Sequence, residues 1–148
     1  DIVEGFLRAR RELAIKGKIS RLERLRRLNF SVLNNLDAYK RDPKKLYDEL
    51  SRAVNGSGKK TLSFAIKIFY YSVLARENWR ISLPSSIPIP VDRRVIKVTQ
   101  ALGIVSSGCT EVKRISEAWN EVSRLSNIPP LNLDSFIWLK LYKAMIQK

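Results

Sequence analysis

The 148-residue sequence contains no histidine. A Ser-His-Asp triad, a histidine general base and histidine metal ligands are therefore excluded. Cys109 is the single cysteine, so no internal disulfide and no cysteine-ligated zinc or iron–sulfur cluster can form. With no histidine to activate it, Cys109 reads as a small buried apolar residue rather than a nucleophile. Catalysis must draw on Lys, Asp, Glu, Tyr or water. Negative charge is scarce too: 14 Asp plus Glu stand against 28 Lys plus Arg, a net charge of +14. That excess favours a polyanionic partner, nucleic acid before membrane, over a merely soluble basic surface. No apolar run is as long as a membrane span. The longest, "TLSFAIKIFYYSVLA", is interrupted by Lys67 and reads as a buried central helix. No signal segment is visible at the start, and the expected location is the cytoplasm, on the nucleoid. The first residue is Asp1 rather than Met, which is expected of a fragment or a processed chain.

What is present has helical periodicity. Leu22, Leu25, Leu28, Val32 and Leu36 form one stripe. Short and long helices are predicted over 46–54 and 61–77, with Pro43 at a first turn that tolerates it. A further helix is predicted over 93–102. The next, over 111–126, carries Val112, Ile115, Trp119, Val122 and Leu125 on one face. A closing helix over 134–147 has Ile137, Leu141, Ala144 and Met145 as its stripe. No sustained alternation points to a sheet, and no repeat or low-complexity tract appears. The proline-rich "LPSSIPIPVD" is too short and apolar for a linker and reads as an ordered crossing loop.

The stretch "VNGSGKKTLSF" has the look of a phosphate loop, but its spacing is wrong. A P-loop needs a first glycine where this chain has Ala53, and a hydroxyl residue where it has Lys60. Its context is helix rather than buried strand. Between two helices, Gly56 and Gly58 permit a tight hairpin. The amides of such a turn can cradle a DNA phosphate, which positions a protein without reading bases. An ordinary helix–helix turn is the alternative. Downstream, "IPIPVDRRV" leads into a helix, and Asp92 suits an N-cap.

Together, Gly56-x-Gly58-x-Lys60 and Pro90-Val91-Asp92, each in helix–loop–helix context, resemble the helix-hairpin-helix superfamily of DNA glycosylases. With "KKTLSFAIKI" and "IPPLNLDSFIWL", the pattern resembles the archaeal 8-oxoguanine DNA glycosylase family from roughly residue 40 to the C-terminus and weakly before it. The resemblance implies an all-α, helix-hairpin-helix glycosylase-like fold in a single helical domain over 1–148, with the helix-hairpin-helix around 43–77. It also implies that part of the family's longer N-terminal region is missing here. By residue, it makes Lys60 the nucleophile and Asp92 its catalytic partner. Phe64 and Trp138 would sandwich the flipped base, and Asp134 would contact it. Gly56, Gly58 and Lys59 would meet the DNA backbone. Asn55 and Ser57 stand where many such hairpins carry proline and an apolar residue, so duplex docking through this loop is expected to be weaker or different.

The implied activity is base excision of 8-oxoguanine with lyase action through a lysine Schiff base, on double-stranded DNA containing an oxidised base. A monomer is expected, with no metal, no cofactor and no membrane partner. The target base must leave the stack before a side chain can reach its sugar. The attacking amine must be unprotonated. Lys59 and Lys60 point about 100° apart on a helix, so only one can face the pocket, and the Gly-x-Gly-x-Lys register selects Lys60. The alternative is a non-catalytic helical DNA-binding module. In that case Phe64 and Trp138 are packed core, and Asp134 caps its helix.

Overall fold

The computed structural model describes residues 15–27, 35–54, 58–78 and 82–146, together with Gly5 and Ala9. The fold is all-α, and no strand occurs among the described residues. Among the described residues the helices are α1 Ile15–Arg27, α2 Leu36–Arg41, α3 Pro43–Ala53, α4 Lys59–Glu77, α5 Arg93–Ala101, α6 Val112–Ser126, α7 Pro130–Phe136 and α8 Tyr142–Ile146. A π-helical turn, Ile137–Leu141, joins the last two.

Local chemistry sets these boundaries. Asp42 caps α3 by accepting from the Lys44 and Lys45 amides at 3.1 and 3.3 Å, with Pro43 as the first helical residue. α4 starts two residues before the predicted helix, from Gly58 at φ +81. Glycine adopts that left-handed conformation without the strain a Cβ would add. Gly56 and the rest of the 55–57 hairpin lie outside the described residues, as do Leu28 and Val32 of the first stripe. Within that stripe, Leu25 packs on the core while Leu22 and Leu36 are exposed.

Among the described residues, two apolar clusters make the core. One gathers Tyr39, Leu46, Leu62, Ile66, Ile87 and Leu131; the other gathers Ile89, Val95, Val98, Ile115, Trp119 and Ile137. The crossing loop spans both, because Ile87 enters the first cluster and Ile89 and Val91 the second. Ser63 on α4 donates to the Pro88 carbonyl at 2.8 Å and ties helix to loop. Trp119 donates from Nε1 to Thr99 Oγ1 at 2.8 Å, which joins α6 to α5. Cys109 is half-buried against the second cluster.

Four sequence expectations need correction. α4 is not buried all round: Ile68 is 63% exposed, because Lys67 and Ile66 take the inward positions on that turn. On α6, Val112 and Leu125 are exposed while Ile115 and Trp119 are buried. At 100° per residue, Leu125 lies about 80° round the helix from Ile115 and has left the buried face. The closing helix begins at Pro130, four residues before the predicted start, with Pro130 at its first position. Its π turn, closed by the Tyr142 amide on the Ile137 carbonyl, inserts an extra residue. Ile137 and Leu141 therefore face the core, whereas Ala144 and Met145 are turned outward.

Candidate active site

α4 carries a stripe of functional groups. Lys60, Phe64, Lys67 and Tyr71 recur at helical spacing and share one face. From Phe64 onward, this stripe meets α7 and the π turn. The Phe64 and Trp138 rings touch edge to face, 6.5 Å between centroids at 89°. The Lys67 ammonium pairs with the Asp134 carboxylate, both groups buried. The same ammonium lies 5.9 Å from the Tyr71 ring and 5.8 Å from the Trp138 ring. The Tyr71 and Ser135 hydroxyls are 2.6 Å apart. Trp138 sits inside the π turn, a local device often found at functional sites.

Asp134 is fully buried and lies in the body of α7, so it does not cap the helix. Burial pushes its carboxyl above the ordinary carboxylate range, and the hydrogen bond and charge of Lys67 pull it part of the way back. Asp92 adds to the rise, and Arg94 opposes it. Asp134 Oδ1 and Trp138 Nε1 are both buried with no hydrogen-bond partner among the described residues. An unpaired buried polar atom costs about 1–3 kcal/mol.

The crossing loop delivers Asp92, which is nearly buried. Its Oδ1 accepts from the Arg94 and Val95 amides at 2.8 and 3.0 Å, so it is the N-cap of α5. Its Oδ2 takes the Arg94 guanidinium, with Nε at 3.2 Å and Nη2 at 3.1 Å. That guanidinium lies over the Trp138 ring, with its carbon 2.9 Å from the centroid. One connected group results: Asp92 holds Arg94, Arg94 covers Trp138, Trp138 meets both Phe64 and Lys67, and Lys67 pairs with Asp134.

Lys60 sits apart from the tightest part of this group. It is exposed in the first turn of α4 and lines an open cleft of about 810 Å³. Pro88, Ile89 and Val91 of the crossing loop line the same cleft, together with Tyr47, Ser51 and Ser116. Phe64, Trp138 and Asp134 are not part of its lining. The structure thus unites the two aromatics, Asp134 and Asp92, and sets Lys60 beside the loop that carries Asp92. The Asp92 carboxylate is held by Arg94 rather than by Lys60. The Lys59 side chain, like Gly56, lies outside the described residues.

Sequence reading missed Lys67 and Arg94. Lys67 looked like an interruption of an apolar helix. The usable signal was its place three residues after Phe64, on the same face. Arg94 follows Asp92 by two residues, within reach of a side chain that caps the same helix start. Among the described residues, no group of acidic, histidine or cysteine side chains could hold a metal ion. No helix among them is long and apolar enough to cross a membrane.

Residues 1–147 match the model of a family described as AGOG, N-glycosylase/DNA lyase. Proteins of that name are similar in sequence. The one from Methanococcus maripaludis is 38% identical over 124 residues, covering 82% of this chain and 46% of that protein. The one from Aeropyrum pernix is 34% identical over 154 aligned residues, covering 93% and 51%. A third, from Pyrobaculum aerophilum, is 41% identical over 85 residues, covering 55% and 33%. The chain spans about half the length of these relatives or less. With the match running over nearly every residue, from the N-terminus through Lys60, Asp92 and Trp138, the chain belongs to the AGOG N-glycosylase/DNA lyase family.

Proposed function

We propose that the chain is a base-excision DNA glycosylase with lyase activity that removes 8-oxoguanine from duplex DNA through a Schiff base on Lys60. The observation that carries this reading is the face of α4 that runs from Lys60 to Phe64 and Lys67, against which Trp138 and the buried Asp134 with its unpaired oxygen are packed. The two rings meet edge to face in the free protein, so the base stacks only once that pair opens, and selectivity falls to hydrogen bonds at the base edge. Asp134 Oδ1 accepts there, beside the Lys67 ammonium.

The basic surface neutralises phosphates and holds the strand. The target nucleotide rotates out of the stack, at a cost that base contacts offset. The Lys60 nitrogen bonds to C1′ as the N-glycosidic bond breaks, and the amine proton passes by way of Asp92 to the departing base. The carboxylate of Asp92 also stabilises the positive charge that develops on the sugar. The sugar ring then opens at the C1′–O4′ bond to leave the imine, and removal of a C2′ proton expels the 3′ phosphate, which completes the lyase step. In this reading the protein works as a single helical domain, as a monomer and in association with DNA.

Duplexes that each contain one defined lesion test the substrate. Strand cleavage at 8-oxoguanine, and not at an undamaged guanine in the same context, is the expected result. Cleavage at another oxidised base alone would move the substrate assignment, and no cleavage of any lesion duplex would overturn the activity.

A further inference from the structure

We propose that Arg94 is a built-in occupant of the base pocket: its guanidinium covers a face of Trp138 in the free protein, and an incoming base displaces it, releasing Asp92 Oδ2. The proposal rests on the reading that the base stacks on Trp138.

The guanidinium is planar and lies over the Trp138 ring, 2.9 Å from its centroid. Cation and ring attract each other there, but a base stacked on that face needs the same space. The same guanidinium reaches Asp92 Oδ2 through Nε and Nη2 at 3.2 and 3.1 Å. A single side-chain movement therefore clears the ring and frees the carboxylate oxygen. Finally, Asp92 does not depend on Arg94 for its position. Its Oδ1 accepts from the backbone amides of Arg94 and Val95 at 2.8 and 3.0 Å, bonds in which the guanidinium takes no part. The Arg94 side chain is about one-third exposed, so it has a route outward to solvent or to a neighbouring phosphate.

Charge gives the displacement a chemical consequence. Lys67 and Arg94 balance Asp92 and Asp134, so the group is formally neutral with Arg94 in place. Once Arg94 leaves, the group carries one net negative charge, beside a sugar that becomes positive as its base departs. Arg94 thus makes Asp92 available only when a base has filled the pocket. It acts on the reaction through Asp92 and Trp138 and is a positioning residue.

The test compares two duplexes in a Lys60→Gln background, where no chemistry follows binding. One carries a single 8-oxoguanine, and the other carries a tetrahydrofuran abasic analogue with no base to stack. Arg94→Ala should tighten binding of the 8-oxoguanine duplex about tenfold relative to the analogue duplex, since only the former has to expel the guanidinium. Arg94→Lys, which keeps the charge but loses the plane, should fall between. A purely structural or phosphate-binding arginine would weaken both duplexes alike, and that result would overturn the proposal. Trp138→Ala in the same background separates the two claims. If it lowers the preference for 8-oxoguanine while Arg94→Ala leaves that preference unchanged, the stacking reading stands and the Arg94 proposal fails. If Trp138→Ala leaves the preference unchanged, the stacking reading fails and takes the proposal with it. Thermal melts of each variant confirm that folded protein is being compared.

Discussion

Asp92 holds two jobs that substitution can separate. Its Oδ1 caps α5 through the Arg94 and Val95 amides, while its Oδ2 faces the Arg94 guanidinium. Asparagine keeps a carbonyl oxygen for the cap but replaces Oδ2 with an NH₂ group, which cannot accept from arginine. Alanine removes both. Loss of an N-cap costs about 0.5–2 kcal/mol, and the Val95 amide, left unpaired in a buried position, falls in the range of about 1–3 kcal/mol. These overlap, because the same hydrogen bonds are counted, so Asp92→Ala should cost about 2–3 kcal/mol. For a chain of this length that is a drop in Tm of about 5–10 °C. Asp92→Asn retains the cap and loses only a partly exposed ion pair, worth about 0–1 kcal/mol. Both variants should lose base release by about 10²–10⁴-fold, since neither has the carboxylate. Thermal denaturation followed by circular dichroism reads the first effect, and single-turnover base release reads the second. If Asp92→Asn melts as low as Asp92→Ala, the cap does not contribute as described. If Asp92→Asn retains full activity, Asp92 is a cap and nothing more.

Three further outcomes are expected. Trp138→Ala should weaken binding to lesion-containing duplex by about 1–3 kcal/mol and leave undamaged duplex nearly unaffected, as read by fluorescence anisotropy; equal losses on both would make Trp138 structural. Duplex affinity should fall steeply with salt, because each neutralised phosphate contributes about −0.9 to the log–log slope; a flat response would contradict a nucleic-acid partner for the +14 chain. The third concerns Asp134, whose folded-state carboxyl titrates above its ordinary value because it is buried. Its contribution to stability is fully present below the unfolded value, about 3.9, and is lost as pH rises through the raised folded value. The Tm of the wild type minus that of Asp134→Asn should therefore decline as pH rises from about 4, and a rising difference would mean that the Lys67 ion pair outweighs burial.

The parts of this molecule that were legible in sequence are those fixed by local rules. Helix positions follow from apolar spacing, Pro43 marks the start of α3, and Asp92 sits where a cap belongs. Lys60 with Phe64, and Asp134 with Trp138, share faces because they are four residues apart. The π turn was not legible, since one inserted residue leaves no mark in an apolar pattern, and it is what turns Met145 outward. Lys67 and Arg94 were missed for another reason. The meaning of each depends on a distant partner: Asp134 lies 67 residues beyond Lys67, and Trp138 lies on a different helical segment from Arg94. A buried cation is unfavourable until its counter-charge is known, so the sequence alone reads it as a break.

In the proposed reaction the amine of Lys60 attacks the sugar. Such attack passes through an imine, and borohydride reduces that imine to a permanent cross-link. Incubating the chain with an 8-oxoguanine duplex under borohydride should give a covalent protein–DNA adduct on a denaturing gel. Lys60→Gln should abolish the adduct and keep binding, because Lys60 is exposed and little packing is lost. Lys59→Gln should keep the adduct. An adduct that survives Lys60→Gln and disappears with Lys59→Gln would place the nucleophile one residue earlier, and an adduct that survives both would contradict the claim.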